Sequence, residues 1–335
     1  MAVRIRRWLG ILGLVAVGLL AGVSVYVALT WDRVHDAPLA EVHVSTDPAA
    51  LARGEYLVYG PAHCVECHGP LEDSLQRLSE GELVPLSGGL RIPLGPLGAI
   101  YSANLTPDPE TGIGRYSDAQ IARMMRWSVR PNGRSTLEPM MPFGDMSQDD
   151  LDAIVSFLRA QKPVRNAVPE NEWTLMGKVV KSLAPTFKPR VAIHPAAAAP
   201  RQAATKERGE YLARYVTNCV GCHTPRDQMT FVATGPEFSG GMEMEPMPLP
   251  GADPSIWYRT PNLTPQKGSS LMNFPDRETF VARFQRGGRQ QAGSVMPWEA
   301  FARMTTEDLG AIYEYLHSLR PEDGPTGDAA FKKAE

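Results

Sequence analysis

The first strong pattern along the chain is an uncharged, mostly apolar run from Leu9 to Thr30. A helix over this run would be about 33 Å long, enough to cross a hydrocarbon core of about 30 Å. Arg4, Arg6 and Arg7 precede the run, and positive residues beside a membrane span stay in the cytoplasm. A cleaved signal peptide is the alternative, but its apolar core usually has only about 7–15 residues. The pattern favours a transmembrane anchor within residues 1–31, with the rest of the chain outside the cytoplasm.

Further along, apolar residues recur at helical spacing after residues that can cap a helix. A stripe from Leu151 to Leu158 follows Ser147, where the sequence resembles a capping box. A second stripe, from Leu309 to Leu316, follows Thr305. Other helices are predicted to begin near Asp47, Ser117, Thr205 and Pro275. Long stretches rich in Gly and Pro separate these predicted helices.

The chain contains the same succession of segments twice. The matched pairs are the Gly-Glu-Tyr-Leu runs at 54–57 and 209–212, the Ser-Gly-Gly runs at 87–89 and 239–241, the Asn-Leu-Thr-Pro runs at 104–107 and 262–265, and the Met-Pro-aromatic runs at 141–143 and 296–298. Matches in the same order indicate two copies of one domain. The predicted segments are domains at 48–162 and 205–320, a Pro/Ala-rich linker at 163–204 and a flexible tail at 321–335.

Composition and net charge exclude few classes of fold or function. The 335 residues suffice for two or three domains, and 30 Gly and 30 Pro imply much loop. The formal charge is −3 and there is no basic block, which argues against a nucleic-acid partner.

The cysteines all lie in two C-x-x-C-H motifs, formed by Cys64, Cys67 and His68 and by Cys219, Cys222 and His223. Residues i and i+3 lie on one face of a helical turn, so two thiols can reach the two vinyl groups on one edge of a porphyrin. The histidine that follows can bind the iron. The motifs therefore predict two covalently attached haem c groups, with His68 and His223 as iron ligands.

Other uses of paired cysteines fit less well. A thioredoxin-like redox pair needs a βαβ context, which the pattern lacks. A zinc knuckle needs pairs close in sequence, whereas these begin 155 positions apart (219 − 64). A disulfide framework suits short, cysteine-rich domains, whereas this chain has 4 cysteines in 335 residues. Neither the zinc nor the disulfide interpretation explains why each pair ends in histidine.

A methionine recurs at the same distance beyond each motif histidine. Met141 follows His68 by 73 positions (141 − 68). Met296 follows His223 by the same 73 positions (296 − 223). Each precedes a proline and an aromatic residue, and the proline stiffens the loop that presents the sulfur. Because methionine sulfur is the usual second ligand of c-type haem, we predict Met141 and Met296 as the second axial ligands.

Other methionines suit this role less. Met140 adjoins Met141 but lacks the following proline. A methionine-rich loop contains Met242, Met244 and Met247, and a soft metal such as Cu(I) could bind there. Its acidic, proline-rich surroundings favour a haem-edge or surface loop instead.

With these motifs, the chain resembles the cytochrome c subunits of membrane-bound alcohol and aldehyde dehydrogenases. The runs that carry the resemblance are Leu86–Gly89, Ile100–Asp108, Thr111–Asp118 and Met141-Pro142. It implies an all-α fold of two tandem class I cytochrome c domains, joined by the linker and preceded by the transmembrane helix. It also implies that the motif histidine and the methionine before proline are the axial ligands. Those subunits typically carry three haem motifs, whereas this chain has two.

Two tethered haems with matched ligands predict an electron carrier rather than an enzyme. The expected donor is a membrane or periplasmic dehydrogenase or a quinol-oxidising complex, and the expected acceptor is an oxidase or a soluble cytochrome. The haem domains are expected on the periplasmic side of the cytoplasmic membrane. A di-haem peroxidase-like enzyme, or another haem oxidoreductase with one open iron site, is the alternative, which the matched methionines disfavour. A structural or sensory cytochrome is a third possibility.

Overall fold

The computed structural model describes residues 2–69, 73–325 and 328–333. The described residues do not include 1, 70–72, 326–327 and 334–335, nor the side chain of Arg4. These positions fall in the predicted anchor, first domain and tail. The α-helices are α1 (Ala2–Thr30), α2 (Pro48–Tyr59), α3 (Cys64–His68), α4 (Ser74–Ser79), α5 (Asp118–Trp127), α6 (Gln148–Ala160), α7 (Leu175–Leu183), α8 (Lys206–Tyr215), α9 (Cys219–Cys222), α10 (Arg277–Gln285), α11 (Trp298–Phe301) and α12 (Thr306–His317). The strands are β1 (Arg91–Pro93), β2 (Gly98–Tyr101), β3 (Glu172–Trp173), β4 (Glu243–Met244), β5 (Ile256–Arg259) and β6 (Ala330–Lys332).

The N-terminal helix α1 is apolar, and nearly all of its residues from Arg6 onward are exposed. Its stretch Arg6–Thr30 covers 25 residues, and the most apolar window within it has a mean hydropathy of 2.4 and is only 6% buried. This length and composition suffice to cross a membrane, and a signal sequence near the N-terminus shares both properties. The structure thus agrees with the apolar helix predicted from the sequence.

Several predicted helix starts are capped as expected. Ser117 forms a full capping box at the start of α5. Thr305 caps α12, where its hydroxyl accepts a hydrogen bond from the Asp308 amide at 3.2 Å. Ser147 precedes α6 as predicted, but its side chain makes no capping bond. Its hydroxyl lies 2.8 Å from the hydroxyl of Tyr211 instead, because α8 packs near this helix start.

In each half, the helix before the C-x-x-C-H motif packs against the closing helix, α2 against α6 and α8 against α12. A glycine permits each contact. A Cβ atom on Gly54 would lie 2.0 Å from the carbonyl oxygen of Ala153. A Cβ atom on Gly209 would lie 1.9 Å from the carbonyl oxygen of Ala311. The repeated Gly-Glu-Tyr-Leu runs therefore mark crossings that a larger residue would force apart.

The fold is rich in helix but is not all-α as predicted. Two antiparallel three-stranded sheets form, in the orders β1-β2-β3 and β4-β5-β6. The third strand of each sheet comes from outside the predicted domains, β3 from the predicted linker and β6 from the predicted tail. Pairing with these segments satisfies the hydrogen-bonding backbone groups of the long irregular connections. Helical periodicity in the sequence could not reveal these strands.

The two halves share one hydrophobic core, which contains buried residues from both. Two tyrosines cross the boundary between the halves in a reciprocal manner. Tyr56 donates a hydrogen bond to a carboxylate oxygen of Asp308 at 2.7 Å. Tyr211 donates one to Asp150 at 2.7 Å. The halves are therefore joined by equivalent contacts in both directions.

Each of these aspartates is also held by an arginine of its own half. Arg53 donates two hydrogen bonds to Asp150, at 2.8 and 2.9 Å. Arg208 donates two to Asp308, both at 2.9 Å. The Arg208 and Asp308 side chains are 1% and 0% exposed, so the pair is fully removed from water. Each carboxylate is neutralised within its half and accepts a further hydrogen bond from the other half.

Candidate haem centres

The first C-x-x-C-H motif forms the single helical turn α3. This turn places the two thiols of Cys64 and Cys67 one turn apart on one face, as attachment to a porphyrin edge requires. The Nδ1 atom of His68 lies 2.6 Å from the carbonyl oxygen of Ala103. Because a carbonyl can only accept, Nδ1 carries the proton and Nε2 keeps its lone pair.

The second motif has the same arrangement. Cys219 and Cys222 lie at the two ends of the short helix α9. The Nδ1 atom of His223 lies 2.8 Å from the carbonyl oxygen of Pro261. Ala103 and Pro261 both directly precede an Asn-Leu-Thr-Pro run, so this repeated sequence supplies the carbonyl in each half.

The chemical state of both histidines fits an iron ligand. Burial lowers the pKa of His68 and of His223, which favours the neutral imidazole that binds metals. A metal-bound histidine is usually supported by a hydrogen bond to a backbone carbonyl from its other ring nitrogen, the one that does not bind the metal. The cysteines are unbridged, so their sulfurs are free to form thioether bonds. The residues of both motifs therefore fit covalently attached haem.

The two predicted methionine ligands also occupy equivalent places. Met141 precedes the short 3-10 helix Pro142–Asp145, and Met296 and Pro297 precede α11. An arginine holds the backbone carbonyl of each, Arg190 at 3.1 Å from that of Met141 and Arg289 at 2.8 Å from that of Met296. Both methionine side chains are half-buried against the shared core.

Sequence interpretation missed a buried charged cluster that connects the first motif to the second half, which we name the Glu66 bridge. Glu66, between the cysteines of the first motif, accepts a hydrogen bond from Arg289 at 2.6 Å and one from the Ala300 amide at 3.1 Å. Arg289 also pairs with Glu299 at 2.9 Å. The three charged side chains are 5%, 8% and 10% exposed. Since Arg289 also holds the carbonyl of Met296, the bridge ties the first motif to the methionine loop of the second half.

The electrostatics of the Glu66 bridge follow from its composition, in which two carboxylates share one guanidinium. Burial raises the pKa of Glu66 to about 7, and the positive charge of Arg289 opposes this shift. Desolvation, followed by the charges of Glu66 and Cys222, raises the pKa of the Cys67 thiol to about 12.

A reciprocal contact ties the second motif to the first half. Asn218, directly before Cys219, donates a hydrogen bond to the carbonyl of Pro139 at 2.9 Å. Pro139 lies two positions before Met141. Each C-x-x-C-H motif is thus bonded to the methionine loop of the other half.

No family model matches the chain. The chain is 31% identical to a di-haem c-type cytochrome of Cereibacter sphaeroides, over 82% of this chain and 89% of that protein. It is 30% identical to the cytochrome c subunit of a quinone alcohol dehydrogenase of Gluconacetobacter polyoxogenes, over 85% of this chain and 59% of that subunit. It is 33% identical to the cytochrome c subunit of gluconate 2-dehydrogenase of Pantoea cypripedii, over 91% of this chain and 65% of that subunit.

The chain spans less than two thirds of the length of these two dehydrogenase subunits. It spans most of the di-haem cytochrome, so this similarity defines the family. These relatives are named as cytochromes c, which hold haem c covalently. The predicted resemblance and the predicted cofactor are therefore both confirmed. The chain therefore belongs to the family of di-haem c-type cytochromes and binds haem c covalently.

Proposed function

We propose that this protein is a membrane-anchored di-haem cytochrome that passes single electrons from a dehydrogenase or quinol-oxidising complex to an oxidase or another cytochrome. The observation that carries the proposal is the reciprocal contact between each C-x-x-C-H motif and the methionine loop of the other half. Electron transfer between two haems requires that they be close and held rigidly. The shared core and the buried bonds across the halves support both requirements.

The proposed roles of the individual residues follow from their chemistry. Thioether bonds hold one haem at Cys64 and Cys67 and the other at Cys219 and Cys222. A bound haem iron supplies one-electron redox chemistry, and methionine ligation raises its potential. The carbonyls beyond each motif orient the imidazoles of the proposed ligands His68 and His223, and arginines fix the backbone of the proposed ligands Met141 and Met296.

Within this proposal, residues 48–162 and 205–320 are two class I cytochrome c domains in tandem, with the linker at 163–204 between them and the tail at 321–335 behind. The equivalent helix pairs α2–α6 and α8–α12 support the division. Residues 1–31 form the anchor, and the haem domains lie on the periplasmic side of the cytoplasmic membrane. The length and composition of α1 support this placement.

The proposed donor is a dehydrogenase, because several relatives are named as cytochrome subunits of dehydrogenases, among them the fructose dehydrogenase cytochrome subunit of Gluconobacter japonicus. In such complexes the cytochrome subunit carries electrons and another subunit oxidises the substrate. This chain would therefore serve as the electron-transfer subunit and have no catalytic residue of its own.

An optical and magnetic spectrum of the haem-loaded, full-length protein tests the proposal. We expect two low-spin haems with histidine and methionine ligands in both the oxidised and the reduced protein. A haem that stays high-spin after oxidation and reduction would contradict the proposal and favour a peroxidase-like enzyme. Co-purification of a dehydrogenase with the chain from solubilised membranes would identify the donor.

A further inference from the structure

The helix α7 presents an apolar face that no described residue covers. Leu175, Met176 and Leu183 are 78%, 48% and 59% exposed. Together with the partly exposed Val179, they fall within about 100° of the helix circumference, because one residue turns the helix by about 100°. Exposed apolar residues scattered singly are common, but a continuous apolar helix face indicates an interaction surface.

The opposite face of α7 is fixed to the protein body, so the helix cannot bury its apolar face by turning. Gly177 lies against the loop at Leu97, where a Cβ atom would come within 2.1 Å of the Leu97 carbonyl oxygen. The Lys181 side chain is only 6% exposed. Its ammonium group lies 5.3 Å from the ring centroid of Trp173 and 3.3 Å from a carboxylate oxygen of Asp32.

These contacts place α7 beside the end of α1. The ammonium groups of Lys178 and Lys181 lie 4.6 and 5.4 Å from the ring centroid of Trp31, which directly follows α1. Asp32 also pairs with Arg134 at 2.6 Å, so the end of α1 is tied to the body by two cations. The helix α7 therefore lies directly beside the point where the chain leaves the apolar helix α1.

We propose that α7 lies in the interfacial layer of a phospholipid bilayer, as a second membrane contact beside the anchor. The inference rests on the proposed anchoring by α1. Three observations favour lipid as the occupant: the position of α7 beside the end of α1, Trp31 at this boundary, and Lys178 next to that tryptophan. Tryptophan is enriched at membrane interfaces, and lysine side chains there reach toward phosphate groups. Such a contact fixes the orientation of the haem domains relative to the membrane.

Photo-crosslinking tests the inference with the full-length, haem-loaded protein in nanodiscs of phosphatidylethanolamine and phosphatidylglycerol. A benzoylphenylalanine replaces Leu175 in one sample, Leu20 of α1 in a second, and Met272 in a third. Leu20 and Met272 are 69% and 47% exposed, and Met272 lies in the second half. An unchanged haem spectrum shows that each sample is folded. We expect lipid adducts, detected by mass spectrometry, at positions 175 and 20 and none at position 272.

The other outcomes separate this inference from the proposed function. Lipid adducts at position 20 without any at position 175 would overturn the interfacial contact and leave the anchor standing. Absence of adducts at both positions would overturn the anchor and the contact together. Adducts at position 272 as frequent as at position 175 would also overturn the contact. In the purified membrane complex, crosslinks from position 175 to a protein subunit instead of lipid would assign the face to that subunit and overturn the inference.

Discussion

At the scale of single residues, the three charged side chains of the Glu66 bridge connect the two halves, which their residue types alone do not indicate. Glu66 stands between the cysteines of the first C-x-x-C-H motif, and Arg289 bonds to it while also holding the carbonyl of Met296 in the other half. The C-x-x-C-H motifs could be recognised from the sequence because covalent attachment fixes the spacing of neighbouring residues. Arg289 could not be, since its partner lies 223 positions away in the chain.

We expect Met296→Ala and Met141→Ala to lower the midpoint potentials of two different haems. The fall should be on the order of 100 mV, because axial ligands set haem potentials over a range of about 0.8 V. A spectroelectrochemical titration of the membrane-extracted protein measures both potentials. Met272→Ala, at an exposed position, is the control and should change neither. If both ligand variants shifted the same haem, or neither shifted any, the assigned ligand pairs would be wrong.

Glu66→Gln should raise the potential of the haem attached at Cys64 and Cys67 by tens of millivolts. Removing a buried negative charge disfavours the oxidised iron, and about 59 mV corresponds to a tenfold change for one electron. The same redox titration measures the potential of this haem. Glu82→Gln is a suitable control, because Glu82 is 54% exposed in a surface pair with Arg77. An unchanged or lowered potential in Glu66→Gln would show that the Glu66 bridge does not act on this haem.

At the scale of elements, the two halves of the chain each contain one close helix crossing, α2 with α6 and α8 with α12. Sequence patterning predicted these helices and most of their caps because capping and periodicity are local properties. It missed the strands, since β3 pairs with a strand that lies more than 70 positions before it. It also assigned Ser147 a capping role that the packing of Tyr211 replaces.

Replacing the glycine at one crossing should destabilise the protein. In Gly54→Ala the new methyl group meets the backbone of α6, which cannot move without separating the helices. We expect a loss of about 1–3 kcal/mol in the free energy of unfolding, the usual cost of overpacking a core. Gly310→Ala in α12 is the matched control, because its nearest neighbour is the flexible side chain of Arg277. Chemical denaturation of the haem-loaded protein should show no loss for this control, and an equal loss in both variants would contradict the explanation.

At the scale of the whole molecule, the two halves form one body with a shared core and reciprocal tyrosine–aspartate bonds. The same arrangement brings each haem motif to the methionine loop of the other half. The contacts between α7 and the residues that follow α1 then fix the position of this body relative to the apolar helix. Stability and the relative placement of the two motifs thus depend on the same contacts between the halves.

Tyr56→Phe and Tyr211→Phe should each weaken the contact between the halves. Each removes a hydrogen bond to a buried carboxylate, which is worth about 1.5–3 kcal/mol. Each also removes the contacts that the same hydroxyl makes with Thr305 or Ser147 of the other half. Denaturant unfolding followed by haem absorbance measures the loss, and the double variant should unfold in two separated transitions. Tyr101→Phe is the control, since Tyr101 bonds to Glu172 at the protein surface. A single, unshifted transition in the double variant would argue against a joint held by these tyrosines.

The haem c cofactor and most helix starts could be predicted from the sequence, because each depends on residues a few positions apart. The internal repeat could be predicted because its matched runs follow one another in the same order. Three features emerged only from the packing of the folded chain: the pair of Glu66 and Arg289, the two tyrosines that cross between the halves, and the apolar face of α7 beside α1. These features join residues that are far apart in the chain. Their positions depend on how buried surfaces pack together, and no local spacing encodes that outcome.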